Sequence, residues 1–346
     1  MKSFVLTGLN QMEMRDVPMP EIKSPADVLL KISAVGVCGS DIHYYKTGRI
    51  GSQVVQYPFT VGHESAAFVE KTGPAVKKVS PGMLVAVEPA MSCGRCDQCL
   101  ANRPHTCRSL RFLGCPGQAE GCLCEYIVMP EECCVPVAEK ITAGEAALSE
   151  PLAIGYYAAQ NAHPLKGADI AILGCGPIGL SVMICAGAMG AGRIFATDPI
   201  RERLAVAGRN GACWTGSPRE GDVVEKIARE APRLMDVVFE CCGQQEAIDQ
   251  AVDLLKPGGT LMLVGIPETD RVSLVIDKTR RKEICIRNVR RQHGCLHPAL
   301  ALMGQGRLKP GFMITHRFPF AKTREAFDLV GAYAGGVVKA MIDFAA

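Results

Sequence analysis

The sequence predicts an α/β chain of two domains, one mostly β and one a doubly wound parallel sheet. Three observations carry that prediction. A glycine turn, Gly174-Cys175-Gly176-Pro177-Ile178-Gly179, lies between an apolar run, 170–173, and a helix-compatible run, 180–189. From about residue 158 onward, strand-like and helix-like patterns alternate, as a parallel sheet covered by helices requires. Residues before about 150 instead carry Gly, Pro and short β-compatible runs such as 27–32 and 83–87.

The order of strand, glycine turn and helix is that of a dinucleotide-binding βαβ unit. Gly174 makes the tight turn, Gly176 lets the backbone approach a pyrophosphate, and Gly179 lets helix and strand pack. Pro177 and Ile178 lead into the helix, whose first N–H groups offer partial positive charge to phosphates. The next strand, 193–197, ends at Asp198, 19 residues after Gly179. A carboxylate there can accept both ribose hydroxyls of an adenosine. Further strands are expected at 235–240, 260–264 and near 284–286. The run from Ile170 to Gly192 has no charge and is long enough to span a bilayer. Its periodicity changes at the turn, however, so a buried strand followed by a buried helix explains it better.

At 346 residues the chain is long enough for two cores, and 48% apolar with 21% charged residues is ordinary for a globular protein. A net charge of +3 gives no reason to expect nucleic acid or a membrane as partner. Residues 1–8 show no apolar signal region, so a cytoplasmic location is expected. Seventeen cysteines in such a chain point to metal ligands and buried thiols rather than disulfides.

Two metal constellations stand out. Cys38, His63, Glu64 and Glu150 offer the ligand types of a catalytic zinc, which keeps one position open. Cys93, Cys96, Cys99 and Cys107 follow a C-x2-C-x2-C-x7-C spacing in a polar, Gly-containing loop. Four thiolates there close a tetrahedral structural zinc site. An iron–sulfur cluster is the alternative for that donor set. Cys115, Cys122, Cys124, Cys133 and Cys134 read as packing residues.

These residues resemble the zinc-dependent medium-chain dehydrogenase/reductases, in the polyol branch of the sorbitol, L-iditol and xylitol dehydrogenases. The resemblance is carried by Cys38-Gly39-Ser40-Asp41 with His43-Tyr44, by Gly48-Arg49-Ile50-Gly51, and by Gly62-His63-Glu64. The four-cysteine lobe, Glu150-Pro151-Leu152, the glycine turn and Phe239-Glu240-Cys241-Cys242-Gly243 extend it over nearly the whole chain. It implies a GroES-like mostly-β catalytic domain, 1–156 completed by 288–346, and a Rossmann doubly wound parallel-sheet domain, 157–287. It further implies two zinc ions per chain, NAD as cofactor, a polyol substrate and a homo-tetramer or homo-dimer.

Position by position, the resemblance makes Cys38, His63 and Glu64 the catalytic zinc ligands. Glu150 becomes a fourth ligand or a group bound through the zinc's water. Ser40 and His43 become the path by which the substrate's proton leaves. Arg203 packs at the adenosine side, while Val264-Gly265-Ile266 and Val289-Arg290-Arg291 lie against the nicotinamide. Asp198 selects NAD over NADP, with Arg201 and Arg203 leaving some tolerance of NADP. Tyr44, Glu150, Arg291 and Gln292 line the alcohol pocket. The chain departs from the pattern at 290–292. Sorbitol dehydrogenases carry an aromatic-Arg-Tyr run there, and here it reads Arg290-Arg291-Gln292. A different sugar alcohol, a phosphorylated polyol or a sugar acid then becomes a candidate substrate. Two other readings compete: a threonine or simple-alcohol dehydrogenase, and a non-catalytic NAD-binding protein.

Overall fold

The computed structural model describes residues 1–162 and 164–344. The chain forms two compact units, one of Met1–Glu150 with Leu296–Ala346 and one of Pro151–Cys295. The last two residues of the expected 288–346 segment lie outside the described residues. No helix among the described residues is long and apolar enough to cross a membrane.

The first unit is built on a seven-stranded sheet whose central strand is Asp27–Gly36. Residues alternate between half-buried and buried along the first seven positions of that strand, so every second side chain enters one core. Glu64–Thr72 pairs with it antiparallel on one side. Tyr126–Pro130 and Lys339–Asp343 share its other side. The tail therefore returns to the sheet that the N-terminal segment begins. Leu6, Val28, Leu30, Val61, Leu123 and Phe327 are buried in the core of this unit. Cys122, Cys124, Cys133 and Cys134 belong to the same core, and Cys115 is also buried, as packing residues would be.

In the second unit six parallel strands run Ile170–Leu173, Ile194–Thr197, Trp214–Gly216, Met235–Glu240, Leu255–Leu263 and Cys285–Asn288. Numbered along the chain, their order across the sheet is 3-2-1-4-5-6. That is the Rossmann order, which places a ligand crevice at the carboxyl ends of the strands where the order reverses. The helix Pro177–Ala188 starts three residues earlier than the apolar run implied. Proline at the first helical position has its φ preset and lacks only an N–H that no helix uses there. The strand Leu255–Leu263 begins well before 260, with Leu255 paired to Met235 and an irregular stretch through Pro257-Gly258-Gly259 before pairing resumes at Thr260. The short edge strand Trp214–Gly216 has no run long enough to announce it.

The glycines of the turn are required for different reasons. Gly174 has φ +101°, where a side chain is strained. A Cβ on Gly179 would stand 1.8 Å from the Gly174 carbonyl oxygen. The third glycine is thus what lets the helix sit on the turn. Gly179→Ala is expected to cost at least about 2 kcal/mol through that overlap. Thermal denaturation measures the loss, and an unchanged midpoint would contradict the packing described.

Candidate metal and cofactor sites

The helix Gly39–Thr47 starts at Cys38, whose extended backbone serves as N-cap. Asp41 stands three residues on, and its Oδ2 accepts from the Cys38 N–H at 3.1 Å. Its Oδ1 accepts from the Gly62 N–H at 3.1 Å and lies 3.4 Å from His63 Nδ1. One buried carboxylate therefore ties the thiol's backbone, the loop before His63 and the imidazole together. With Nδ1 turned to Asp41, Nε2 is left to face a metal, the arrangement that outer-shell carboxylates impose on ligand histidines. The sequence reading named Asp41 within a motif but gave it no role. Its signal was a carboxylate at the third position of a helix.

Donor atoms of Cys38, His63 and Glu64 all lie within 4.8 Å of one another. Burial disfavours an imidazolium at His63, but the charges of Asp41 and Cys38 outweigh it and hold its pKa well above the ordinary value. The site attracts positive charge, and one thiolate, one imidazole and one carboxylate fit a zinc ion. Glu150 is buried nearby without joining that close trio. Burial pushes its carboxyl up to about 7, with Glu64 and Glu88 adding to the rise and His63 opposing it. The Ser40 hydroxyl donates to the Cys38 sulfur at 3.2 Å. His43 follows three residues later, so the two share a face of the helix. The Tyr44 hydroxyl donates to Gln53 Oε1 at 3.1 Å.

A second feature escaped the sequence reading. Lys339 is 1% exposed, and its ammonium donates to both Glu64 carboxylate oxygens, at 2.7 and 2.6 Å, and to the Val37 carbonyl at 3.0 Å. The visible signal was a lone lysine within the apolar run 337–342.

The four-cysteine lobe also gathers. Donor atoms of Cys93, Cys96, Cys99 and Cys107 lie within 4.8 Å of one another. Backbone N–H groups of Arg108 and Cys99 bring the Cys96 thiol down to about 6, whereas burial and its neighbours push Cys99 up to about 11. A thiolate is already favoured in the set, and a divalent metal would displace the remaining protons. Arg108 holds Asp97 through two hydrogen bonds, at 2.5 and 2.8 Å, beside Cys96.

In the second unit the expected cofactor residues collect at the carboxyl ends of the strands. The Cys175 N–H of the glycine turn donates to Asp198 Oδ2 at 2.8 Å, and the Ile200 N–H donates to Oδ1 at 2.8 Å. Burial raises the Asp198 pKa, and those two N–H groups and the Arg203 charge oppose the rise. Arg203 is itself buried, and a Cβ on Gly176 would stand 3.6 Å from its guanidinium. Arg201 is engaged with Glu220 at 2.7 Å. Glu240, named in the sequence reading only within a motif and without a role, stands at the end of its strand. Its Oε1 accepts from Cys242 and Gly243 N–H at 2.8 and 2.6 Å, and its carbonyl accepts from Val264 and Gly265. It anchors both segments at that strand end. Ile266 is exposed, Val289 donates to the Leu263 carbonyl, and Arg290 is exposed. Arg291 sits at φ +57°, and Gln292 is buried with its Oε1 accepting from the Cys295 N–H at 2.9 Å. Gln292 thus has a backbone partner within its own unit.

Two family models match the chain: an alcohol dehydrogenase GroES-like domain over residues 24–139 and a zinc-binding dehydrogenase domain over 177–304. The sorbitol dehydrogenase of Bacillus subtilis (strain 168) is 33% identical over 343 residues, covering 99% of this chain and 97% of that one. The chain belongs to the zinc-dependent medium-chain dehydrogenase/reductases. Within them it falls in the polyol dehydrogenase branch, for the sorbitol dehydrogenase of Bombyx mori is 36% identical over 342 residues, 98% of this chain and 97% of that one. Among solved structures, a zinc-binding dehydrogenase from Sinorhizobium meliloti 1021 bound to NADP is 30% identical. It superposes with a TM-score of 0.90 over 99% of this chain and 98% of its own. The chain is accordingly a zinc- and nicotinamide-dependent oxidoreductase with a GroES-like and a Rossmann unit.

Because Asp41 holds both His63 and the Cys38 backbone, Asp41→Asn should weaken zinc at that site by about 10–100-fold. Competition against a chromophoric chelator measures it. Undiminished affinity would show that the carboxylate does not orient the ligands.

Proposed function

We propose that the protein oxidises a secondary alcohol of a polyol to a ketose, with NAD as hydride acceptor and two zinc ions per chain. The observation that carries this reading is the close set of Cys38, His63 and Glu64, with buried Glu150 acting on His63 and Glu64; the resemblance puts a cysteine at the Glu150 position in simple-alcohol enzymes, so a carboxylate there suits a polyhydroxy substrate. The relatives named for sorbitol support it. When bound, zinc supplies a Lewis acid for the substrate oxygen and the nicotinamide supplies the hydride acceptor.

The chain's own residues do the rest. Cys38, His63 and Glu64 hold the catalytic ion, and Glu150 binds it directly or through water. Asp41 keeps His63 oriented. Ser40 and His43, one helical turn apart, carry the substrate's proton away. Cys93, Cys96, Cys99 and Cys107 hold the second zinc and fix their loop. Gly174, Gly176, Pro177, Ile178 and Gly179 receive the pyrophosphate, Asp198 the ribose and Arg203 the adenosine side. Val264, Gly265, Ile266, Val289, Arg290 and Arg291 contact the nicotinamide end. Tyr44, Glu150, Arg291 and Gln292 contact the substrate's hydroxyls. Asp198 disfavours a 2′-phosphate, and the Arg201–Glu220 pair leaves one cation fewer to welcome it. The reading includes a cytoplasmic homo-tetramer or homo-dimer.

The test is a panel of C4–C6 polyols, sugar acids, amino alcohols and simple alcohols, followed by NADH absorbance. Groups built to bond hydroxyls are left unpaired by ethanol, so the best polyol should exceed it by about 100-fold or more in kcat/KM. NAD should exceed NADP by at least about tenfold, roughly 1.4 kcal/mol. Arg291→Ala should reduce polyol turnover far more than NAD affinity. Ethanol or threonine outperforming every polyol would overturn the substrate assignment.

A further inference from the structure

The Lys339–Glu64 pair spans the central strand of the first unit. Lys339 opens the strand Lys339–Asp343, which pairs with Asp27–Gly36 on one side, and Glu64 opens the strand paired on the other. Gly36 is directly opposite Glu64. A Cβ on Gly36 would stand 2.2 Å from Glu64 Oε2, so the absent side chain is what gives the carboxylate its place. The ammonium has three N–H donors, and Glu64 Oε1, Glu64 Oε2 and the Val37 carbonyl accept all three. Both Glu64 carboxylate oxygens therefore already share their charge with a buried cation. Lys339 also acts electrostatically on Cys38 and Glu150.

We propose that Lys339 is a positioning residue that competes with the catalytic metal for Glu64 and so sets how tightly that metal is held. The inference rests on the reading that Cys38, His63 and Glu64 form a metal site. Cys38, Asp41, Glu64 and Glu150 gather four acidic groups around one buried region, and Lys339 is a cation set among them. Without the ammonium a metal there meets the same acidic groups with one positive neighbour fewer. Removing Lys339 should therefore tighten metal binding, because Glu64 no longer shares its negative charge with the ammonium and no positive neighbour repels the ion. A lysine that merely preorganised Glu64 would have the opposite effect on removal.

Zinc titration of metal-free protein against a chromophoric chelator separates the two outcomes. Cys38→Ser identifies the step that belongs to this site. In Lys339→Met that step should tighten by about tenfold, the worth of one charge-assisted hydrogen bond, while Lys339→Arg stays close to the parent. With cobalt in place of zinc, the visible absorption of the Cys38-dependent site should shift in Lys339→Met and return in Lys339→Arg. Should Lys339→Met not fold without metal, the loaded variant is challenged with excess chelator, and its Cys38-dependent metal should leave about tenfold more slowly than the parent's. Equal or weaker binding, or equal or faster release, beside an intact Cys38-dependent step overturns this proposal alone. A parent protein with no Cys38-dependent step overturns both it and the metal reading beneath it.

Discussion

Burying several anions together is the constraint that shapes the first unit. Asp41, Glu64 and Glu150 are all within 1–8% exposure, and Cys38 is half-buried beside His63. Isolated charges at such depth are costly, so each must find a cation or hydrogen-bond donors. Asp41 takes two backbone N–H groups and the His63 ring. Glu64 takes Lys339. Glu150 has neither answer in full, and its carboxyl is pushed up to about 7 by burial and by Glu64 and Glu88. On the proposed reading, a divalent ion at Cys38 and His63 would offset the remaining negative charge.

That balance is delivered by ordinary local rules. The helix Gly39–Thr47 is stopped by Gly48 at φ +71°, whose N–H bonds the Tyr44 carbonyl. Its start carries Cys38 and Asp41 at the spacing that lets Asp41 reach back to the Cys38 N–H. Two strands then bring Glu64 and Lys339 to opposite sides of Gly36. Breaking that pair by removing one partner leaves the other charge stranded, a loss of about 3–5 kcal/mol in buried pairs generally. In the second unit the same logic recurs at smaller scale. Asp198 and Glu240 stand at the carboxyl ends of the two strands that flank Ile170–Leu173, and each uses its carboxylate to fix a backbone turn.

Much of this was legible in the sequence because it depends on short-range spacing. The glycine turn, the four cysteines and the Cys38 and His63 motifs are local patterns with a fixed physical meaning. The parallel sheet followed from the alternation of strand and helix runs. What was not legible depends on long-range placement. Lys339 and Glu64 are separated by 275 positions, and nothing local ties them. Asp41 was within the motif, yet its contact with His63 needs the fold to bring Gly62 onto the helix start. The early start of Leu255–Leu263 was hidden by Pro257-Gly258-Gly259, which lie in the irregular stretch between the Met235–Leu255 and Val237–Thr260 pairs.

The central claim is that two chemically different zinc sites exist on one chain, and that Cys38 belongs to only one of them. Zinc-edge X-ray absorption with metal counting on the Cys38→Ser protein tests it most directly. The account predicts two zinc equivalents and a mixed sulfur and nitrogen/oxygen shell in the parent, falling in the variant to one equivalent with sulfur ligands alone. Two equivalents with an unchanged mixed shell in Cys38→Ser would contradict it.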